Sequence, residues 1–232
     1  MKPIALVLAT LMLIGATFLI ARAADTPSDE AGFVSIFNGK DLTGWKPGKW
    51  GNELNRYGKG YAVENGAIYC TVDDGGDLYT EKEYSDFILR FEFKLTANAN
   101  NGIGIRSPAQ GDAAYTGMEI QVLDDGGSMY TNLHPWQYHG SIYDCVPAQR
   151  GHLKPVGEWN SEEISAIGRH VKVTLNGAVI VDANLDDIKD PHVLRIHGGL
   201  KRSSGHIGFL GHHSRVDFRN LRIKELVREG RA

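Results

Sequence analysis

The sequence predicts an all-β protein, a jelly-roll β-sandwich built from two antiparallel sheets. Three observations carry that expectation. Apolar and polar residues alternate at period two over many short segments, Asn-Gly pairs sit between apolar runs, and 28 glycines punctuate 232 residues in which helical periodicity is weak. Residues 32–226 contain no internal repeat, low-complexity stretch or linker-like break, and about two hundred residues suit a single sandwich.

The chain opens on an expected export signal. Lys2 supplies a positive start, Ile4–Ile20 an apolar run, and Ala21-Arg22-Ala23 an A-x-A cleavage site. Cleavage near Ala23 would deliver the mature chain to the periplasm or the exterior; an uncleaved signal anchor is the alternative reading. Residues 24–31 form a short polar linker and residues 227–232 a C-terminal tail. The mature chain has no apolar run of the length that spans a bilayer.

Phe33–Phe37 is then expected as the first strand. In AVENGAIYC (Ala62–Cys70) and VKVTLNGAVIV (Val171–Val181), Asn65-Gly66 and Asn176-Gly177 mark two hairpins. DFILRFEFKL (Asp86–Leu95) puts Phe87, Leu89, Phe91, Phe93 and Leu95 on one face. GHIGFLG (Gly205–Gly211) and RVDFRNLRI (Arg215–Ile223) read as the last two strands, the second changing parity near Asn220 as a bulge would. A helical turn is expected only around Asp186–Lys189.

Charge narrows the function classes. With 25 basic and 28 acidic side chains the chain carries a net charge of -3, which lacks the basic footprint that phosphate backbones require. Nucleic acid is therefore not an expected partner. Cys70 and Cys145 are the two cysteines; a disulfide and two buried thiols are both compatible with export. The two DDGG runs, at Asp73 and Asp124, read as turns or as calcium loops, and no zinc spacing such as H-E-x-x-H occurs among the nine histidines.

Alternation also sorts polar groups by face. In NNGIGIRS (Asn100–Ser107), Ile103 and Ile105 oppose Gly102, Gly104 and Arg106. In GMEIQVLDD (Gly117–Asp125), Met118, Ile120 and Val122 oppose Glu119, Gln121 and Leu123. In YHGSIYD (Tyr138–Asp144), Ile142 opposes His139, Ser141 and Tyr143, and in HIGFLGHH (His206–His213), Ile207 and Phe209 oppose His206, Gly208 and, with register maintained, His212. Glycine in a strand often marks close approach of another group to the backbone. The pattern therefore predicts a groove floored by glycine and walled by groups that hold hydroxyls or move protons. The bland readings are an exposed Glu119–Arg106 ion pair, packed histidines, and half-buried Tyr143 and Trp159 in place of sugar-stacking rings.

These motifs, with GFVSIFNGKDLTGW (Gly32–Trp45), GEWN (Gly157–Asn160) and LNGAVIVD (Leu175–Asp182), resemble the 3-keto-disaccharide hydrolase family over nearly all of residues 32–226. The resemblance implies a concanavalin-like, laminin-G-like jelly roll. It also implies cleavage of glycosides already oxidised to a ketone at C3, by elimination across C1–C2 and hydration. On that resemblance Glu119 maps as base or acid and Arg106 as the cation beside an enolate. His139 or His212 maps to proton transfer. Asn101, Gln121 and Tyr143 map as hydroxyl ligands, with Asp124, Trp159 and His206 as further substrate contacts. No cofactor is required by these motifs, and a divalent cation, Ca or Mn, is left open. The chain departs from the family pattern at Asn101, where serine is usual, and at Leu210, where relatives place glutamine before the histidine. Two rival readings stand beside this one. A laminarinase-like glycosidase would use Glu119, Gln121 and Asp124, but a central glutamine cannot titrate. A carbohydrate-binding sandwich would use the same groove without chemistry.

Overall fold

The computed structural model describes residues 30–50, 53–54, 60–72 and 75–226. The expected export signal, most of the linker, the Asp73 pair and the C-terminal tail lie outside the described residues. From Gly32 onward the chain forms one compact unit.

Fifteen strands occur among the described residues, running β1 (Val34–Ser35), β2 (Trp45–Pro47), β3 (Lys49–Trp50), β4 (Glu53–Leu54), β5 (Tyr61–Glu64), β6 (Ala67–Cys70), β7 (Gly76–Tyr84) and β8 (Phe87–Leu95). They continue with β9 (Asn100–Ser107), β10 (Met118–Leu123), β11 (Trp159–Ile167), β12 (His170–Leu175), β13 (Ala178–Asn184), β14 (Gly205–Gly211) and β15 (Val216–Glu225). The larger sheet has the order β13-β12-β11-β8-β15-β6-β5, with β1 on β15, and the smaller has the order β10-β9-β14-β7-β2. All these pairings are antiparallel. The jelly-roll sandwich expected from alternation is the observed fold.

The inner faces close on one apolar core. Phe87, Leu89, Phe91, Phe93 and Leu95 from β8 all go inward, as their alternation dictates, and meet Ile103, Ile105, Met118, Ile120, Val122, Ile207 and Phe209 from the smaller sheet. Phe209 stacks on Phe218 with centroids 4.1 Å apart, so ring contact crosses the sandwich. Each buried aliphatic or aromatic side chain here contributes roughly 1.5–3 kcal/mol.

Local expectations mostly hold. Asn65-Gly66 and Asn176-Gly177 have φ of 50°, 75°, 50° and 87°, the paired left-handed residues of type I′ hairpins. Asn220 has φ 53°, and the β15–β8 register shifts between Arg219 and Arg222, which is the expected bulge. Others differ. The predicted helical turn near Asp186 is a single 3-10 turn, Leu185–Asp187. Two short helices, α1 (Ala113–Thr116) and α2 (Pro191–Ile196), were not foreseen, and both start at aspartate caps: Asp112 accepts from Ala114 N–H and Asp190 from His192 N–H. Residues 138–144 are not a strand. They form a turn-rich loop that touches β10 through an isolated bridge, Ile120 to Ile142. Cys70 and Cys145 are both free thiols, which decides against a disulfide; burial pushes them up to about 11 and about 12 respectively.

Candidate active site

The outer face of the smaller sheet carries a cleft of about 240 Å³, lined by Asp77, Asn100, Asp112–Tyr115, Glu119, Gln121, Tyr143, Leu210 and His212. Strand β10 brings Glu119 and Gln121 to it, β9 brings Asn100, and the residue just beyond β14 brings His212. Alternation does the local work: Met118, Ile120 and Val122 are buried in the core, which turns Glu119 and Gln121 outward into the cleft. The loop carrying Tyr143 is fastened to the same strand, because Tyr143 N–H donates to the Glu119 carbonyl at 2.9 Å.

Glycine shapes the floor at two points. A Cβ on Gly102 would lie 2.1 Å from Glu119 Oε1, so the carboxyl can rest there only over a bare backbone. A Cβ on Gly208 would lie 2.3 Å from the Tyr79 ring, and that ring in turn presents its hydroxyl to Asp77 Oδ2 at 3.1 Å. Gly102→Ala is therefore expected to push the Glu119 carboxyl out of place and to lower kcat/KM on the order of 100-fold. Steady-state kinetics alongside a crystal structure of the variant measures both effects.

The electrostatics of the cleft separate two titrating groups. Glu119 is 5% exposed, and its Oε1 has no hydrogen-bond partner. Desolvation, aided by the negative charges of Asp112 and Asp77, raises its pKa to about 8. His212 is exposed at the rim of the cleft, yet the protein packed around it still desolvates the imidazole and lowers its pKa below the ordinary 6.5, helped by His213 and opposed by Asp112. Near neutrality the carboxyl thus holds its proton while the imidazole lacks one. Gln121 donates its amide to Asn100 Oδ1 at 3.1 Å, and the Tyr143 hydroxyl accepts from Gln137 Nε2 at 3.4 Å. Among the described residues no three His, Cys, Asp or Glu side chains converge as a metal site. The two other acids of the cleft already accept hydrogen bonds: Asp112 from Ala114 N–H and Asp77 from Tyr79.

The structure thus unites Glu119, Gln121, Tyr143 and His212, and removes the other expected site residues. Arg106 is 1% exposed and points into the end of the sandwich, where it donates to the carbonyls of Ser85, Ala166 and Gly168 and to Asp86 Oδ1. Parity fails there because Arg106 has φ 50° and is the extra residue of a bulge: Gly104 and Ser107 on β9 face Gly208 and His206 on β14. Asn101 is fully buried on the core side, donating to the Tyr61 hydroxyl and accepting from Gly102 and Leu210 N–H. His139 is buried between the sheets, stacked on Phe93 and 3.0 Å from Glu162.

Asp124 closes a turn by accepting from Asn98 and Gly126 N–H. Those bonds fit the turn reading of its DDGG run, and Asp124 does not line the cleft that holds Glu119 and Gln121. Trp159 lies in the larger sheet, its ring 3.9 Å from Arg219 and 4.8 Å from Lys94 in cation–π contact. His206 is buried at the opposite end of β14, against Lys46 and the Lys82 carbonyl. Neither ring lines the cleft.

Sequence reasoning passed over Asn100, Asp77, Asp112 and Tyr115. Asn100 was legible, since it shares the parity of Gly102 and Gly104. Asp112 caps, and Tyr115 belongs to, a four-residue helix too short to leave a periodic trace.

A curated 3-keto-disaccharide hydrolase from Bacteroides thetaiotaomicron is 26% identical over 86% of this chain and 80% of its own length. A crystal structure from Parabacteroides distasonis, assigned as a candidate glycosyl hydrolase, superposes with TM-score 0.69 at 28% identity, covering 88% of this chain and 99% of its own. A second one from the same species, with the same assignment, gives TM-score 0.63 at 26% identity, covering 78% and 99%. Residues 32–224 match the family described as the 3-keto-alpha-glucoside-1,2-lyase-like domain, and the chain belongs to that family.

Proposed function

We propose that this protein cleaves 3-keto-glycosides by elimination across C1–C2 followed by addition of water. The observation that carries the reading is the placement of Glu119 and His212 in one cleft, where burial raises the carboxyl to about 8 and the imidazole is shifted below its ordinary 6.5. Hydrolysis of an ordinary acetal has no use for a base aimed at carbon. A C3 ketone creates that use, because it acidifies the C2–H.

In the first half, neutral His212 takes the C2 proton and the electron pair moves into the C2–C3 enolate. Tyr143 and Gln121 supply hydrogen-bond donors for the enolate oxygen. The pair then forms the C1=C2 bond as the C1–O bond breaks, and Glu119 gives its proton to the departing oxygen. In the second half, the Glu119 carboxylate takes a proton from water as its oxygen bonds to C1, and the imidazolium of His212 returns a proton to C2. Both groups recover their starting states, and the sum is hydrolysis. The N-terminal pattern of Lys2, Ile4–Ile20 and Ala21–Ala23 supports an exported enzyme meeting its substrate outside the cytoplasm.

The test is to incubate the purified mature chain with 3-keto-trehalose and with unoxidised trehalose. Release of sugar from the oxidised substrate alone is expected. Binding without release would favour a carbohydrate-binding module, and turnover of unoxidised glycosides would favour an ordinary glycosidase. The pH profile of kcat/KM is expected to be bell-shaped. Its acid limb falls below 6.5 as His212 protonates, and its alkaline limb lies near 8 as Glu119 loses its proton. A profile flat from pH 5 to 9 would reject both assignments.

A further inference from the structure

His197 is a buried imidazole that none of these proton transfers uses. It caps the end of α2 and is 1% exposed. Its Nδ1 lies 2.9 Å from the Ala114 carbonyl oxygen, its Nε2 lies 3.0 Å from Asp144 Oδ2, and its ring packs 4.8 Å from that of Tyr115. Ala114 and Tyr115 form one wall of the cleft, while Tyr143, the neighbour of Asp144, forms another. The Ala114 carbonyl and the Asp144 carboxylate are acceptors, so the ring is placed to donate between the two walls.

We infer that His197 is a positioning residue that ties the Ala113–Tyr115 wall to the Tyr143 wall from behind and so fixes the width of the cleft around Glu119. The inference rests on the reading of this cleft as catalytic. The link to Glu119 is direct, since the Tyr143 N–H donates to the Glu119 carbonyl. Loss of the clamp would move a substrate ligand and the strand carrying the acid together. The titratable groups facing His197 from the packed elements are Asp144 and Tyr115. On its own segment, Arg195 and His192 bond to one another at 2.8 Å. Asp144 sits at φ 59°, a conformation that aspartate and asparagine tolerate best after glycine, so Asp144→Asn preserves the backbone and an acceptor oxygen.

The test combines nitrogen-resolved NMR of the histidines in the full chain with kinetics on 3-keto-trehalose. In the wild type, a slowly exchanging, hydrogen-bonded imidazole N–H is expected, and its signal disappears in His197→Gln. His197→Phe keeps a ring against Tyr115 but donates nothing, and its kcat is expected to fall on the order of 10- to 100-fold. Asp144→Asn should retain most of the wild-type kcat. A His197 ring with no protected N–H, or a folded His197→Phe with kcat within twofold of wild type, would overturn the inference. Should His197→Phe not fold, the wild-type spectrum and His197→Gln kinetics decide. Should wild type turn over no 3-keto-glycoside, the functional reading fails by itself while the nitrogen spectrum still tests the clamp.

Discussion

Glu119→Gln is expected to lower turnover of 3-keto-glycosides by about a thousandfold and, above pH 8, to make the protein more stable than wild type. The activity loss follows from removing a proton carrier, which general acid–base catalysis sets at roughly 10²–10⁴-fold. The stability gain follows from linkage. A carboxyl whose folded pKa is about 8 and whose ordinary value is 4.5 binds its proton more tightly in the fold. Its stabilising contribution is complete below pH 4.5 and disappears as pH rises to 8, because ionising the buried group costs on the order of 3–5 kcal/mol. Glutamine does not ionise and escapes that loss. Melting curves at pH 5 and pH 9 should therefore show wild type falling relative to the variant by about 10 °C. The pairing of the two outcomes is the informative part, since an acid held for chemistry in a dry cleft destabilises the fold that carries it. Parallel melting curves at both pH values, with kcat unchanged, would remove Glu119 from the reaction.

The sheet framework was legible because its elements obey local rules. Alternation in Phe87–Leu95 and Met118–Leu123 fixed which side chains meet in the core, and Asn-Gly pairs fixed two hairpins. The same alternation found Glu119 and Gln121, which lie in a regular stretch of paired strand. It failed wherever the backbone left the regular strand. At Arg106 one left-handed residue turned a long side chain from the expected face into the interior. Between Tyr138 and Asp144 a loop imitates alternation without being a strand, so Tyr143 reaches the cleft while His139, four residues earlier, is packed against Phe93. Bulges and loops depend on tertiary partners, and a single strand of text does not contain them. Tyr115 and His197 lie 82 positions apart and meet only after the sandwich has closed.

Arg106→Ala is expected to destabilise the protein by about 3–5 kcal/mol while leaving the folded fraction active. The guanidinium lies where β9 meets the ends of β8 and β11, and its donors satisfy the carbonyls of Ala166 in β11 and of Ser85 and Gly168 in the adjoining turns. Asp86, 6% exposed, pairs with it at 3.3 Å and also accepts from Gly168 N–H at 2.8 Å. Deleting the cation leaves a buried carboxylate and several carbonyls short of a partner, in a site too dry to supply water cheaply. Lysine offers one ammonium in place of a planar fork, so Arg106→Lys should restore only part of the loss. Replacing Asp86 and Arg106 together by apolar residues should cost less than the sum of the single changes. Denaturant melts give the stability terms, and kcat normalised to folded protein at low temperature gives the functional one. Were Arg106→Lys to melt as wild type does yet lose kcat a hundredfold, the guanidinium would have to act on the substrate, and the bulge would have to open to let it.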